Sequence, residues 1–114
     1  MRSFPKADLD VIRRACGGTA AMLVQAEKQN LLDDYLKALG EKAERLGIVL
    51  LETDPDVTNA DIWDAIEVVS VFLIRGEKAI ESARSEEEKS EILITFERTK
   101  SSLDRLKRLA QTWP

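Results

Sequence analysis

An all-α fold, arranged as an antiparallel up-down four-helix bundle, is predicted by three features of the sequence. Apolar residues recur at alternating three- and four-residue steps in four separate stretches. Helix breakers are scarce, with three prolines and five glycines in 114 residues, and long runs of Ala, Leu, Glu, Lys and Arg favour helix. No strict apolar–polar alternation is long enough to argue for a strand. Four helices of similar length joined by short connections pack most economically as antiparallel neighbours. The expected helices cover about 5–29, 31–52, 59–84 and 86–112, in a single domain over 1–114.

Pro5 suits the first position of helix one, after Ser3 or Phe4. Leu9, Ile12, Cys16, Thr19, Leu23 and Ala26 then keep an apolar rhythm through Gly17-Gly18. Two readings compete there. Arg13-Arg14 before Gly-Gly-Thr reads locally as one helix ending and another being capped. The unbroken phase favours one continuous helix, with small residues where a neighbour passes closely. Near Asn30 the phase slips by one position, and Leu32, Leu36, Leu39, Ala43, Leu46 and Leu50 form the stripe of helix two. Asn30 with Asp33 is read as its capping box, and Gly47 is a competing stop that would leave Ile48-Val49-Leu50-Leu51 extended.

Glu52-Thr53-Asp54-Pro55-Asp56-Val57 is the clearest loop, since Pro55 keeps its predecessor out of helix. Thr58 with Asp61 caps helix three, the element around which the others are expected to pack. Its stripe is Ile62, Ile66, Val69, Leu73, Gly76, Ile80 and Ala83, yet Val68, Val71 and Ile74 are apolar as well. A helix apolar nearly all round is covered on several sides, by its own chain or by another. Ser85 with Glu88 opens helix four, whose stripe runs through Ile92, Phe96, Thr99, Leu103, Leu106, Ala110 and Trp113. Up-down topology brings Phe4, Trp63 and Trp113 to one pole, beside Asp54, Asp56, Asp61 and Asp64, with Arg2, Lys6, Arg105, Lys107 and Arg108 nearby.

The absence of histidine excludes Ser-His-Asp and Cys-His nucleophiles and the ordinary zinc and haem sites. A net charge of −4 implies no attraction to nucleic acid or an anionic membrane. No run of about 18 apolar residues spans a membrane, because Asp64, Glu67 and Arg75 interrupt the best candidate. One cysteine and no secretory signal point to the cytoplasm. Cys16 has no base to activate it and reads as a small apolar residue.

Two acidic patterns invite a metal. Asp54-x-Asp56-x-Thr58-Asn59 resembles the opening of a Ca²⁺ loop, but Asn59, Asp61 and Ala65 stand where an EF-hand wants glycine, an aliphatic residue and a bidentate glutamate. Acids at a helix N-terminus suffice to explain them. Glu41-x-x-Glu44 and Asp61-x-x-Asp64 are similar to the E-x-x-E…E-x-x-D arrangement of the all-α MazG-like nucleotide pyrophosphohydrolases. The resemblance implies Mg²⁺ held against a phosphate by Glu41, Glu44, Asp61 and Asp64. It covers residues 41–64 alone, with Asp61 in place of a glutamate and Gly40 where a further glutamate is expected.

The surplus apolar surface favours a different reading. Val68, Val71 and Ile74, joined by Ile94, are expected to form an exposed patch on helices three and four that meets a protein partner. The simplest partner is a second copy in a homodimer, with a heterologous protein as the other. Trp63 and Trp113 are a further candidate contact. The function expected is therefore a non-catalytic protein–protein interaction module with no cofactor, compatible with an adaptor, an immunity- or antitoxin-like inhibitor, or an assembly subunit. The Mg²⁺-dependent hydrolase is the alternative.

Overall fold

Four helices and their caps account for the chain in a computed structural model, which describes residues 4–51 and 56–112. They are α1 (Lys6–Lys28), α2 (Asp34–Leu51), α3 (Asn59–Glu81) and α4 (Glu86–Thr112). Consecutive helices run antiparallel. Arg13 of α1 donates to the Leu50 carbonyl at the far end of α2, and Lys42 and Arg45 of α2 meet Glu67 and Asp64 of α3 in reversed order.

Helix α1 is continuous through Gly17-Gly18, so the phase of the apolar residues outweighs the local stop signal. The glycines differ in purpose. A Cβ on Gly17 or Gly47 would meet nothing within 4 Å, whereas one on Gly18 would lie 3.0 Å from the Phe72 ring. Gly40 is another close approach, because a Cβ there would overlap the Leu23 Cδ1 methyl of α1. Gly47 does not stop α2, which continues to Leu51.

The α1–α2 connection corrects the sequence reading. Asn30 does not cap the start of α2. It takes a left-handed φ of 56° and closes α1, with Asn30 N–H donating to the Glu27 carbonyl and Leu31 N–H to Ala26. That is the paired pattern of a Schellman ending, with asparagine in glycine's usual place. Asp33 caps α2 instead, its Oδ1 accepting the Leu36 N–H at 2.8 Å. The α3 capping box is as expected, with Asp61 N–H donating to Thr58 Oγ1 and Thr58 N–H to the Asp61 carboxylate. At α4, Ser85 accepts the Glu88 N–H, but the Glu88 carboxylate reaches one residue further back, to Arg84 N–H. Helix α3 correspondingly ends at Glu81 rather than near 84. Residues 52–55 of the expected loop, and Trp113, lie outside the described residues.

Helix α3 packs against each of the other three helices, while α1 meets α4 sparsely and α2 has no contact with α4 among the described residues. The cross-section is thus a rhombus with α3 on its short diagonal. Its core joins Ile12 and Ala15 of α1, Leu39 and Leu46 of α2, Ile62, Val68 and Val69 of α3, and Leu103 and Leu106 of α4. That core sits at one end. The buried residues of α3 are confined to 62–69 and those of α4 to 99–110. From Ser70 to Arg98, across the whole α3–α4 turn, not one residue is buried.

Because their Cβ positions are open, Gly17→Ala and Gly47→Ala should each raise stability by about 1 kcal/mol through helix propensity. Gly18→Ala should gain less or lose, since the Phe72 ring must yield. Urea unfolding of the three variants measures the difference.

Candidate functional site

The closed end of the bundle is held by a buried carboxylate. Asp8 occupies the third position of α1, where an acid would ordinarily reach back to the N-cap N–H. The preceding cap is Pro5, which has no N–H. Asp8 turns to α4 instead: its Oδ1 accepts from Ser102 Oγ at 2.8 Å, Arg105 Nε at 3.0 Å and a second Arg105 nitrogen at 2.6 Å. The hydrogen bond to Asp8 raises the Arg105 guanidinium further above its ordinary value. The Asp8 side chain is 1 % exposed, and its Oδ2 has no hydrogen-bond partner among the described residues. This tie is structural: it fixes where α1 meets α4.

Beyond it, α1 and α4 separate. Gly18 and Ala21 of α1, Phe72, Leu73, Gly76 and Ala79 of α3, and Ile92, Thr95 and Phe96 of α4 line an open slot of about 510 Å³. Small residues make it deep, and two phenylalanines furnish its floor and wall. Arg75 stands at its rim and donates to the Gly18 carbonyl at 2.8 Å. Thr95 and Thr99 also border a more polar cleft toward the closed end, lined by Arg14, Arg98 and Arg105 together with Asp10 and Glu97. The two openings form one seam between α1 and α4.

The residues expected to form a partner patch are dispersed. Val68 is fully buried and belongs to the core, which removes it as a surface residue. Val71 is half-buried and packed against that core. The physical reason is that α3 has three neighbours within its own chain, so its excess of apolar residues is largely satisfied internally. Ile74 and Trp63, each 54 % exposed, lie eleven residues apart, on one outward line of α3. Ile94 is 57 % exposed. It lies two residues before Phe96, which packs over Gly76 of α3, so it is turned about 160° from that contact. Ile94 therefore does not extend a patch from Ile74. It shares its line of α4 with Glu91, Arg98, Ser101 and Arg105, all of which line the seam. Phe4 is buried in the core, whereas Trp63 is exposed.

The carboxylates required by the nucleotide-hydrolase resemblance are not gathered. Among the described residues no three Asp, Glu or Cys side chains are placed to hold a metal. Lys42 and Arg45, each one residue beyond Glu41 and Glu44, face α3 and pair with Glu67 and Asp64. Glu67, chiefly through its hydrogen bond, raises the Lys42 ammonium above its ordinary range. Glu44 instead borders α1 beside Cys16 and Leu23, and Asp61 is committed to its cap. Helix α2 thus turns cations, not acids, toward α3. Asp54 of the Ca²⁺-loop pattern lies outside the described residues.

Comparison with known protein families, curated proteins and solved structures finds no match for this chain. No helix among the described residues is long and apolar enough to cross a membrane.

Cys16 is half-buried, and desolvation pushes its thiol from 9.0 up to about 11. The nucleophilic thiolate is therefore scarce at neutral pH. The unfolded thiol ionises first, so this group's contribution to stability is present below pH 9 and fades as pH rises through 11. Reaction with a thiol reagent at pH 8 should be slow in the folded protein and should recover its full rate in denaturant.

Asp8→Ala should lower stability by about 2 kcal/mol. The loss is smaller than for a fully buried pair because the Arg105 side chain is 41 % exposed. Urea denaturation checks the magnitude.

Proposed function

We propose that the chain is a non-catalytic protein–protein interaction module that receives a helix of a partner protein along the α1–α3–α4 seam. The observation that carries this reading is the state of residues 70–98. The segment holds Val71, Phe72, Leu73, Ile74, Ile80, Ile92, Leu93, Ile94 and Phe96, yet none of them is buried. Phe72, Leu73, Ile92 and Phe96 are grouped around the slot, and apolar side chains grouped in this way are a partner's footprint more often than an accident of the surface. A furrow between packed helices, floored by aromatic rings and edged by small residues, suits the apolar face of another helix. The contact surface is therefore the outer half of α3 and α4 together with Gly18 and Ala21, rather than the surface around Val68. A cytoplasmic setting accords with the lone cysteine.

The slot can be filled without touching the core. Ala21 lines its wall and is exposed, so Ala21→Trp should keep the helical content and occupy the space a partner needs. In affinity capture from the native host, a protein retained by the wild type should be lost from Ala21→Trp. Equal retention by both chains would remove the slot as the docking surface.

A further inference from the structure

The outward line of α4 that borders the seam is complementary to itself, and we infer that the helix the module receives is α4 of a second copy, antiparallel about a two-fold axis at Ile94. This rests on the interaction-module reading and names its partner. The line runs Glu87, Glu91, Ile94, Arg98, Ser101 and Arg105, at steps of three and four residues that keep one face of a helix outward. Acids precede Ile94 and bases follow it. Glu91 stands one turn before the isoleucine and Arg98 one turn after. Both are exposed, and neither forms an ion pair among the described residues. Arg105 is already engaged by Asp8.

A two-fold axis converts this order into pairing. In an isologous contact residue i meets j and j meets i. With the axis at Ile94, each Ile94 meets its counterpart, each Glu91 meets Arg98 of the other copy, and the pair occurs twice. A parallel arrangement would set Glu91 against Glu91 and Arg98 against Arg98. The polarity of the line thus selects both the partner and its direction. The axis at Ile94 lets the two α4 helices overlap over residues 86–102, about 25 Å, and with α1 beside it the face is about 20 Å wide. That gives about 500 Å² on each copy, at the small end of the range for a specific interface.

Sedimentation equilibrium of the full chain across the micromolar range tests the inference, with far-ultraviolet circular dichroism as the check on folding. The wild type should sediment as a dimer. Ile94→Glu, at a position too exposed to disturb the fold, should sediment as a monomer with unchanged helical content. Glu91→Arg and Arg98→Glu should each weaken the dimer at least tenfold, and the double variant Glu91→Arg/Arg98→Glu should recover most of the loss because the two signs are exchanged on both copies. A wild type that stays monomeric throughout, or a double variant no stronger than either single one, would overturn it. If the wild type is monomeric yet Ala21→Trp still abolishes capture of a foreign protein, self-association falls and the interaction module stands. If capture is also insensitive to Ala21→Trp, both fall together.

Discussion

A carboxylate buried at one end of the bundle decides where the first helix meets the last. Asp8 has no N-cap N–H to serve, because Pro5 precedes the helix, and it is spent on Ser102 and Arg105 of α4. At that end α1, α3 and α4 close over Ile12, Ile62, Val69 and Leu106. At the other end nothing comparable among the described residues draws α1 to α4, and Phe72 and Phe96 are left along an open slot. Burial of Asp8 is costly unless its hydrogen bonds are made, so the position of this tie along the helices is specified, not merely permitted. The two-ended character of the molecule, with a dry core at one pole and an apolar but unburied arm at the other, follows from it.

Helix α3 supplies the rest of the architecture. It packs closely on every other helix, whereas α1 meets α4 only sparsely, and its unusual width of apolar surface is used for that purpose over residues 62–69. The same composition continues past Ser70, where the neighbours thin out. One helix therefore serves two roles in succession along its length: scaffold in its first half, exposed apolar surface in its second. Salt bridges from Lys42 and Arg45 to Glu67 and Asp64 hold α2 along α3, and they occupy the carboxylate that a nucleotide hydrolase would need at Asp64.

Much of this was legible in the sequence. Four periodic stretches located four helices, the phase through Gly17-Gly18 favoured the continuous α1 that the structure has, and Thr58 with Asp61 marked the start of α3. The misreadings have physical origins. Asn30 and Asp33 both belong to cap-forming residue types, and only the backbone tells that one ends a helix while the other begins the next. Val68 seemed surplus because a single stripe was counted as the core side, whereas a helix with three neighbours buries more than one stripe. Asp8 was missed for the converse reason. It falls four residues before Ile12 on the buried side of α1, which also includes Val11 and Ala15, while the rhythm through Leu9, Cys16 and Leu23 marks the side toward α2. An acid in phase with a core stripe, four to seven residues from apolar partners, was the available signal. The separation of α1 from α4 had no signature in the sequence, since it depends on where two distant helices are tied.

Native-state hydrogen exchange as a function of protein concentration tests the central claim most directly, because it reads local opening residue by residue. Amides of 62–69 and 99–110 should be the slowest at every concentration. Those of 70–98 should exchange faster in dilute solution and gain protection as the protein is concentrated. Protection of 70–98 equal to that of 62–69 at high dilution would contradict it, because the outer halves of α3 and α4 would then need no cover beyond their own chain.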